Sequence, residues 1–183
     1  VTDRETGAPV ARHRDTVFGS ATDNISTLEG DVLRASLSRR YSQNTKGSMS
    51  LHYGDYEKTY QNLYADGYDA DANTVTLKGY KDPTERTNMI VSGYILHKRD
   101  AGGLSHSLLL GGEYVDTQSD NHRYNPTFSS NGATSESFII APQLDLTQNA
   151  LGAATSVIFS DDLKTRTQTQ ISVASVFLQD QIG

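Results

Sequence analysis

The sequence has no cysteine among its 183 residues, so it can build no disulfide framework, thiolate metal site or cysteine nucleophile. Long apolar runs are missing as well. No stretch approaches the roughly 18 consecutive apolar residues of a spanning helix, which excludes a helical membrane protein. Positive charge is short: 16 Lys and Arg stand against 22 Asp and Glu, a formal charge of −6. That balance argues against a sequence-independent nucleic-acid binder, which needs a basic face to displace counterions from phosphates. No phosphate loop, dinucleotide fingerprint or Gly-x-Ser-x-Gly elbow occurs, and the carboxylates form no pair with an assignable role. Enzyme is the class these residues favour least. The chain opens at Val1 without a basic-then-apolar leader, so any targeting signal is expected to be missing or removed.

What is present is modest apolar content, 36% hydrophobic residues with a mean hydropathy of −0.53, over a length that suits one domain. Two classes fit: a polar soluble β protein, or part of an outer-membrane β-barrel. Barrels give a weak hydropathy signal because lipid-facing and lumen-facing residues alternate.

The pattern along the chain favours the barrel. Residues 32–41 place Leu33, Ala35, Leu37 and Tyr41 on one face, with Arg39 the exception, and Arg34, Ser36, Ser38 and Arg40 on the other. Period two with one apolar face predicts a half-buried strand. A polar turn over 43–47 follows, and Met49, Leu51 and Tyr53 then alternate with Ser48, Ser50 and His52. The figure recurs with Met89, Val91, Gly93 and Ile95, a turn over 99–103, and Leu108, Leu110, Gly112 and Tyr114. A last run, about 165–182, is ambiguous in facing because Val176, Phe177 and Leu178 are consecutive. The polar stretches 65–83 and 117–163 read as long excursions. Short turns alternating with long excursions suit a transmembrane barrel. The expected fold is all-β: about five antiparallel up-and-down strands, short periplasmic turns and long extracellular loops. Five is too few and odd for a closed barrel, so residues 1–183 read as an incomplete piece of a single barrel domain.

Gly54–Tyr64, Leu108–Thr117, Phe177–Ile182 and the run Asp69–Leu77 resemble TonB-dependent siderophore receptors. The resemblance covers about Asp15 to Gly183. It implies a bacterial outer-membrane barrel, filled by an N-terminal plug, that imports ferric siderophores with energy relayed by TonB. The plug has no counterpart in the sequence. The implied partners are a ferric siderophore, outer-membrane lipid, the plug and remaining strands, and TonB only through that plug, with no nucleic acid. No cofactor is implied, since iron enters only inside its chelate.

Tyr56, Tyr60 and Tyr64 share parity with Ser50 and His52, so they point to the lumen if the strand continues. With Tyr68 they are the candidate ligand-binding ladder, although spacing by four also fits a helix face. His122 and Arg123, in a long loop, are candidates for an anionic ligand. The candidate lipid face is Leu33, Leu37, Met49, Leu51, Tyr53, Val91, Ile95, Leu108, Leu110 and Tyr114. Asp66, Asp69, Asp71 and Asn73 suggest a calcium loop, but Thr74 and Tyr80 stand where glycine and a bidentate glutamate are needed. His13, His52, His97, His106 and His122 have no metal-ligand spacing, and His97 and His106 are expected at a membrane boundary. The competing readings are a soluble β-sheet ligand-binding module, for example for carbohydrate, and a small structural or adhesive outer-membrane barrel.

Overall fold

The computed structural model describes residues 7, 8, 10 and 13–183, without the side chains of residues 160 and 161. Most of the polar opening segment, residues 2–14, lies outside the described residues. The fold is all-β and antiparallel. Five long strands and one short one follow in order: β1 (Ile25–Arg40), β2 (Thr45–Asp69), β3 (Thr74–Ala101), β4 (Leu104–Phe128), β5 (Glu136–Ile139) and β6 (Val157–Ile182). Their order in the sheet is β1-β2-β3-β4-β6, with β5 paired to β3.

The strands are far longer than local alternation suggested. The expected excursion over 65–83 is not a loop: β2 runs to Asp69 and β3 resumes at Thr74. Asp69 makes this reversal tight, its Oδ1 accepting the N–H groups of Asp71 and Ala72, both at 2.9 Å. Asn73 closes the turn at φ 50°, a left-handed conformation that asparagine tolerates better than most residues. The acidic cluster is thus turn chemistry. Gly102 and Gly103, at φ 62° and 81°, form the two-residue turn between β3 and β4. Of the second excursion, 117–163, only residues 129–156 lie between long strands, and β5 is embedded in them. The 56–68 stretch is strand, not helix.

Chain contacts divide the residues into two units. The first comprises residues 1–28, 58–84 and 121–167. It holds the hydrophobic core: Leu63, Tyr68, Val75, Leu77, Phe128, Phe138, Ile140, Leu144 and Phe159. Here β5 pairs antiparallel with β3, with Val75 opposite Phe138 and Leu77 opposite Glu136. Phe138 also meets Phe128, ring centroids 6.0 Å apart. Glu136 is buried but satisfied, accepting from Ser130 Oγ, the Ser137 N–H and Asn149 Nδ2.

The second unit comprises residues 29–57, 85–120 and 168–183. Its register is legible in side-chain bonds. Ser38 meets Ser48 at 2.8 Å, Arg34 Nε donates to His52 Nδ1 at 3.2 Å, and the Tyr41 N–H donates to the Thr45 carbonyl at 2.9 Å. Each pair adds to the same total of residue numbers, the signature of an antiparallel pairing. Ser50 with Ser92 and Thr45 with His97 fix β2 on β3 in the same way. Among the described residues of this unit, only Gly47, Gly54 and Gly111 are buried. Each lies under an aromatic ring: Tyr41 over Gly47, Tyr56 over Gly54 and Phe177 over Gly111. Such rings shield backbone that glycine leaves bare.

Candidate ligand site and apolar band

The first unit gathers phenols around one ion pair. Tyr60 and Tyr64 on β2 both lean on Tyr80 of β3, with ring centroids at 5.8 and 6.1 Å. Two residues on, Asp82 receives the Arg123 guanidinium as a fork, Nε to Oδ1 at 2.7 Å and a second nitrogen to Oδ2. The guanidinium carbon also sits 4.7 Å from the Tyr80 ring centre, a cation–π distance. The hydrogen bond to Asp82 raises the Arg123 pKa further, so its charge is permanent. Burial first, then Tyr60, pushes the Tyr80 phenol above its ordinary value. Tyr80 therefore stays a neutral hydroxyl at physiological pH. Lys78 and Asp66, bridged at 2.9 Å, stand on the same strand pair.

The cluster can offer aromatic faces, hydroxyl tips and a guanidinium whose charge Asp82 balances. Beside it lies a cleft of about 260 Å³ lined by Asp82, Thr84, Asn121, His122, Arg123, Thr165 and Thr167. Ligand pockets begin at roughly 300 Å³, so this cleft suits a small group or one arm of a larger ligand rather than a whole one.

The structure brings only part of the expected ladder together. Tyr60 and Tyr64 are in the cluster and about two-fifths exposed. Tyr68 is not available: it is buried in the core, edge-on to His13 at 5.3 Å. Tyr56 belongs to the second unit and lies over Gly54 and Gly30, which gives it a packing role. His122 lines the cleft, its ring 6.2 Å from that of Tyr124. Arg123 lies on β4, not in a loop. Tyr80 and Asp82 are the residues that sequence reasoning missed. Their link to Tyr64 and Arg123 depends on cross-strand register, which no local pattern carries. His97 and His106 pair with Thr45 at 2.9 Å and Asp180 at 2.8 Å.

In the second unit, the odd positions of β1–β3 and even positions of β4 form an apolar face. Leu33, Leu37, Met49, Tyr53, Ile95, Leu110 and Tyr114 are exposed on it, and Leu51, Val91 and Leu108 are half-buried. Phe177 settles the last strand, because it covers Gly111 while Val176 and Leu178 are left 82% and 73% exposed. The opposite face carries the serine pairs and the Arg34–His52 bond. No family model and no curated protein matches the chain.

Proposed function

We propose that the chain is wall and extracellular loop of an outer-membrane barrel of the TonB-dependent siderophore receptor kind, serving ferric-siderophore uptake. One observation carries the membrane part. The second unit has no buried side chain, yet bares a contiguous apolar face whose margins are tyrosines Tyr41, Tyr53 and Tyr114. In water such a face is an aggregation liability; against hydrocarbon it is satisfied, and tyrosines suit the two interfaces. The opposite face, with its serine pairs and the Arg34–His52 bond, fits a lumen. The strands at the ends of the sheet order, β1 and β6, fit pairing with further strands of a larger barrel. The siderophore part is supported by the resemblance of the 54–64 and 108–117 segments and by the phenol cluster around Tyr80.

Refolding in lipid vesicles and in plain buffer tests the membrane part. Protease-resistant β structure should form only with lipid or detergent. A monodisperse monomer that melts cooperatively in buffer would instead establish the soluble binding module. For the ligand, the Tyr60→Ala/Tyr64→Ala variant of the parent receptor should bind ferric siderophore roughly thirtyfold more weakly, the cost of losing an aromatic anchor. Tyr53→Ala should leave affinity alone. Unchanged affinity in the double variant would return the phenols to packing between β2 and β3.

A further inference from the structure

Of the asparagines in the sequence, only Asn131 is followed by glycine. The pair stands in the turn that leaves β4 at Phe128, wholly within the first unit. Asparagine before glycine is chemically unstable, because no side chain on the next residue shields its backbone nitrogen from the asparagine amide carbon. Both residues are exposed, so water reaches them.

The turn nevertheless ties up the groups that would react. The Gly132 N–H donates to the Phe128 carbonyl at 2.8 Å, so the attacking nitrogen is engaged elsewhere. The Asn131 side chain is held at both ends: Oδ1 accepts the Ala133 N–H at 2.8 Å, and Nδ2 donates to the Ser135 carbonyl at 3.2 Å. Gly132 sits at φ 65°, in the left-handed region that glycine adopts without strain. The base of the turn is pinned to the far end of the excursion. The Ser129 N–H donates to the Ser156 carbonyl at 2.9 Å, and the Ser156 N–H donates to Ser129 Oγ at 2.8 Å. Ser130 Oγ meets Thr155 Oγ1 at 2.9 Å and donates to Glu136, and both of these partners are buried.

We propose that Asn131–Gly132 is a spontaneous deamidation site, latched while this turn is closed and released when it opens. In the open turn the Gly132 nitrogen gives its proton to solvent and attacks Asn131 Cγ. The N–Cγ bond forms, the Cγ–Nδ2 bond breaks, and Nδ2 leaves as ammonia with a proton taken back from solvent. Water then adds to either carbonyl of the cyclic imide, leaving aspartate or isoaspartate. No oxidant or reductant takes part. The product cannot close the latch again, since a carboxylate has no donor for the Ser135 carbonyl. Isoaspartate also lengthens the main chain between Phe128 and Phe138, two members of the core.

The test incubates the full chain in the medium, lipid or plain buffer, where it holds protease-resistant β structure, and in parallel unfolded in guanidinium. Its outcome is therefore independent of the membrane-wall reading. Peptide mapping follows the gain of one mass unit at each asparagine. In the unfolded chain Asn131 should convert first. In the folded chain its conversion should be at least about tenfold slower, because only the locally opened fraction reacts. Thr155→Val removes one tie of the latch far from the reacting pair in sequence. It should raise the folded rate towards the unfolded one and leave the unfolded rate unchanged. Asn131→Asp, which mimics one product, should speed amide exchange across Glu136–Ile139. Faster conversion of another asparagine in the unfolded chain would overturn the site. Equal rates in the folded and unfolded chain, or a folded rate unmoved by Thr155→Val, would overturn the latch.

Discussion

Strand β2 contributes to both units and meets opposite fates in them. In the first unit its Leu63 is 2% exposed; in the second its Met49 is 57% exposed. Both residues occupy odd positions of one alternating strand. The difference lies in what covers them. In the first unit, β5 and residues 140–144 supply Phe138, Ile140 and Leu144 as a lid, and the start of β6 adds Phe159 to the same cluster. Among the described residues nothing does so for the second unit, where apolar side chains are abundant and only glycines are buried. The lesson is that alternation specifies a face, but not its solvent. A polypeptide lid and a hydrocarbon phase can satisfy the same pattern.

The largest expected effect comes from emptying the core of the first unit. Phe128→Ala empties a fully buried ring site and should cost about 3–5 kcal/mol by denaturant titration. Leu37→Ala, on the bare face, should cost a small fraction of that in the same titration. Equal costs would erase the distinction between the units.

Charge placed on the bare face sharpens it from the other side. On the membrane-wall reading proposed above, Leu110→Arg should destabilise the lipid-refolded protein by about 2–4 kcal/mol, and Ser92→Arg far less. Similar values from vesicle folding titrations would show that the two faces have been exchanged.

Smaller is the effect of filling a glycine. A methyl on Gly54 would stand 2.6 Å from the Tyr56 ring. Gly54→Ala should therefore cost about 1–3 kcal/mol through overpacking. In a Tyr56→Ala background the same change should cost almost nothing. A double-mutant cycle measures this coupling, and additive values would remove Tyr56 from its packing role.

The smallest effect is a titration in the first unit. The Thr147 hydroxyl, then its N–H, donate to Asp145 at 2.6 and 2.9 Å and hold that carboxyl below the usual range. A carboxyl lowered on folding stabilises the fold above its unfolded pKa, near 4, and loses that contribution as pH falls through the folded value. Asp145→Asn should remove this slight acid sensitivity. Amide exchange of residues 145–149 between neutral and acid pH would measure it, and an identical profile in the variant would discard it.

Much of this protein is written in local sequence. Leu33 to Tyr41, Met49 to Tyr53, Val91 to Ile95 and Leu108 to Tyr114 alternate strictly enough to give strands, their faces and their turns, because the pleat repeats every two residues. Where the signal weakened, turn composition was misleading. The Asp and Asn residues around 66–73 concealed the alternation of Val75 and Leu77 against Thr74, Thr76 and Lys78, so two strands looked like a loop. Other features exist only between distant segments. Tyr68 is buried in a cluster assembled from distant strands, edge-on to His13, and Phe177 takes its side because Gly111 leaves room opposite. Tyr80 joins Tyr64, and Arg123 reaches Asp82, through pairing registers. By itself the sequence determined which residues share a face, since that follows from backbone geometry within one strand. The tertiary structure alone decided which faces are covered and which side chains meet, since both depend on strand pairing and on lids supplied from far along the chain.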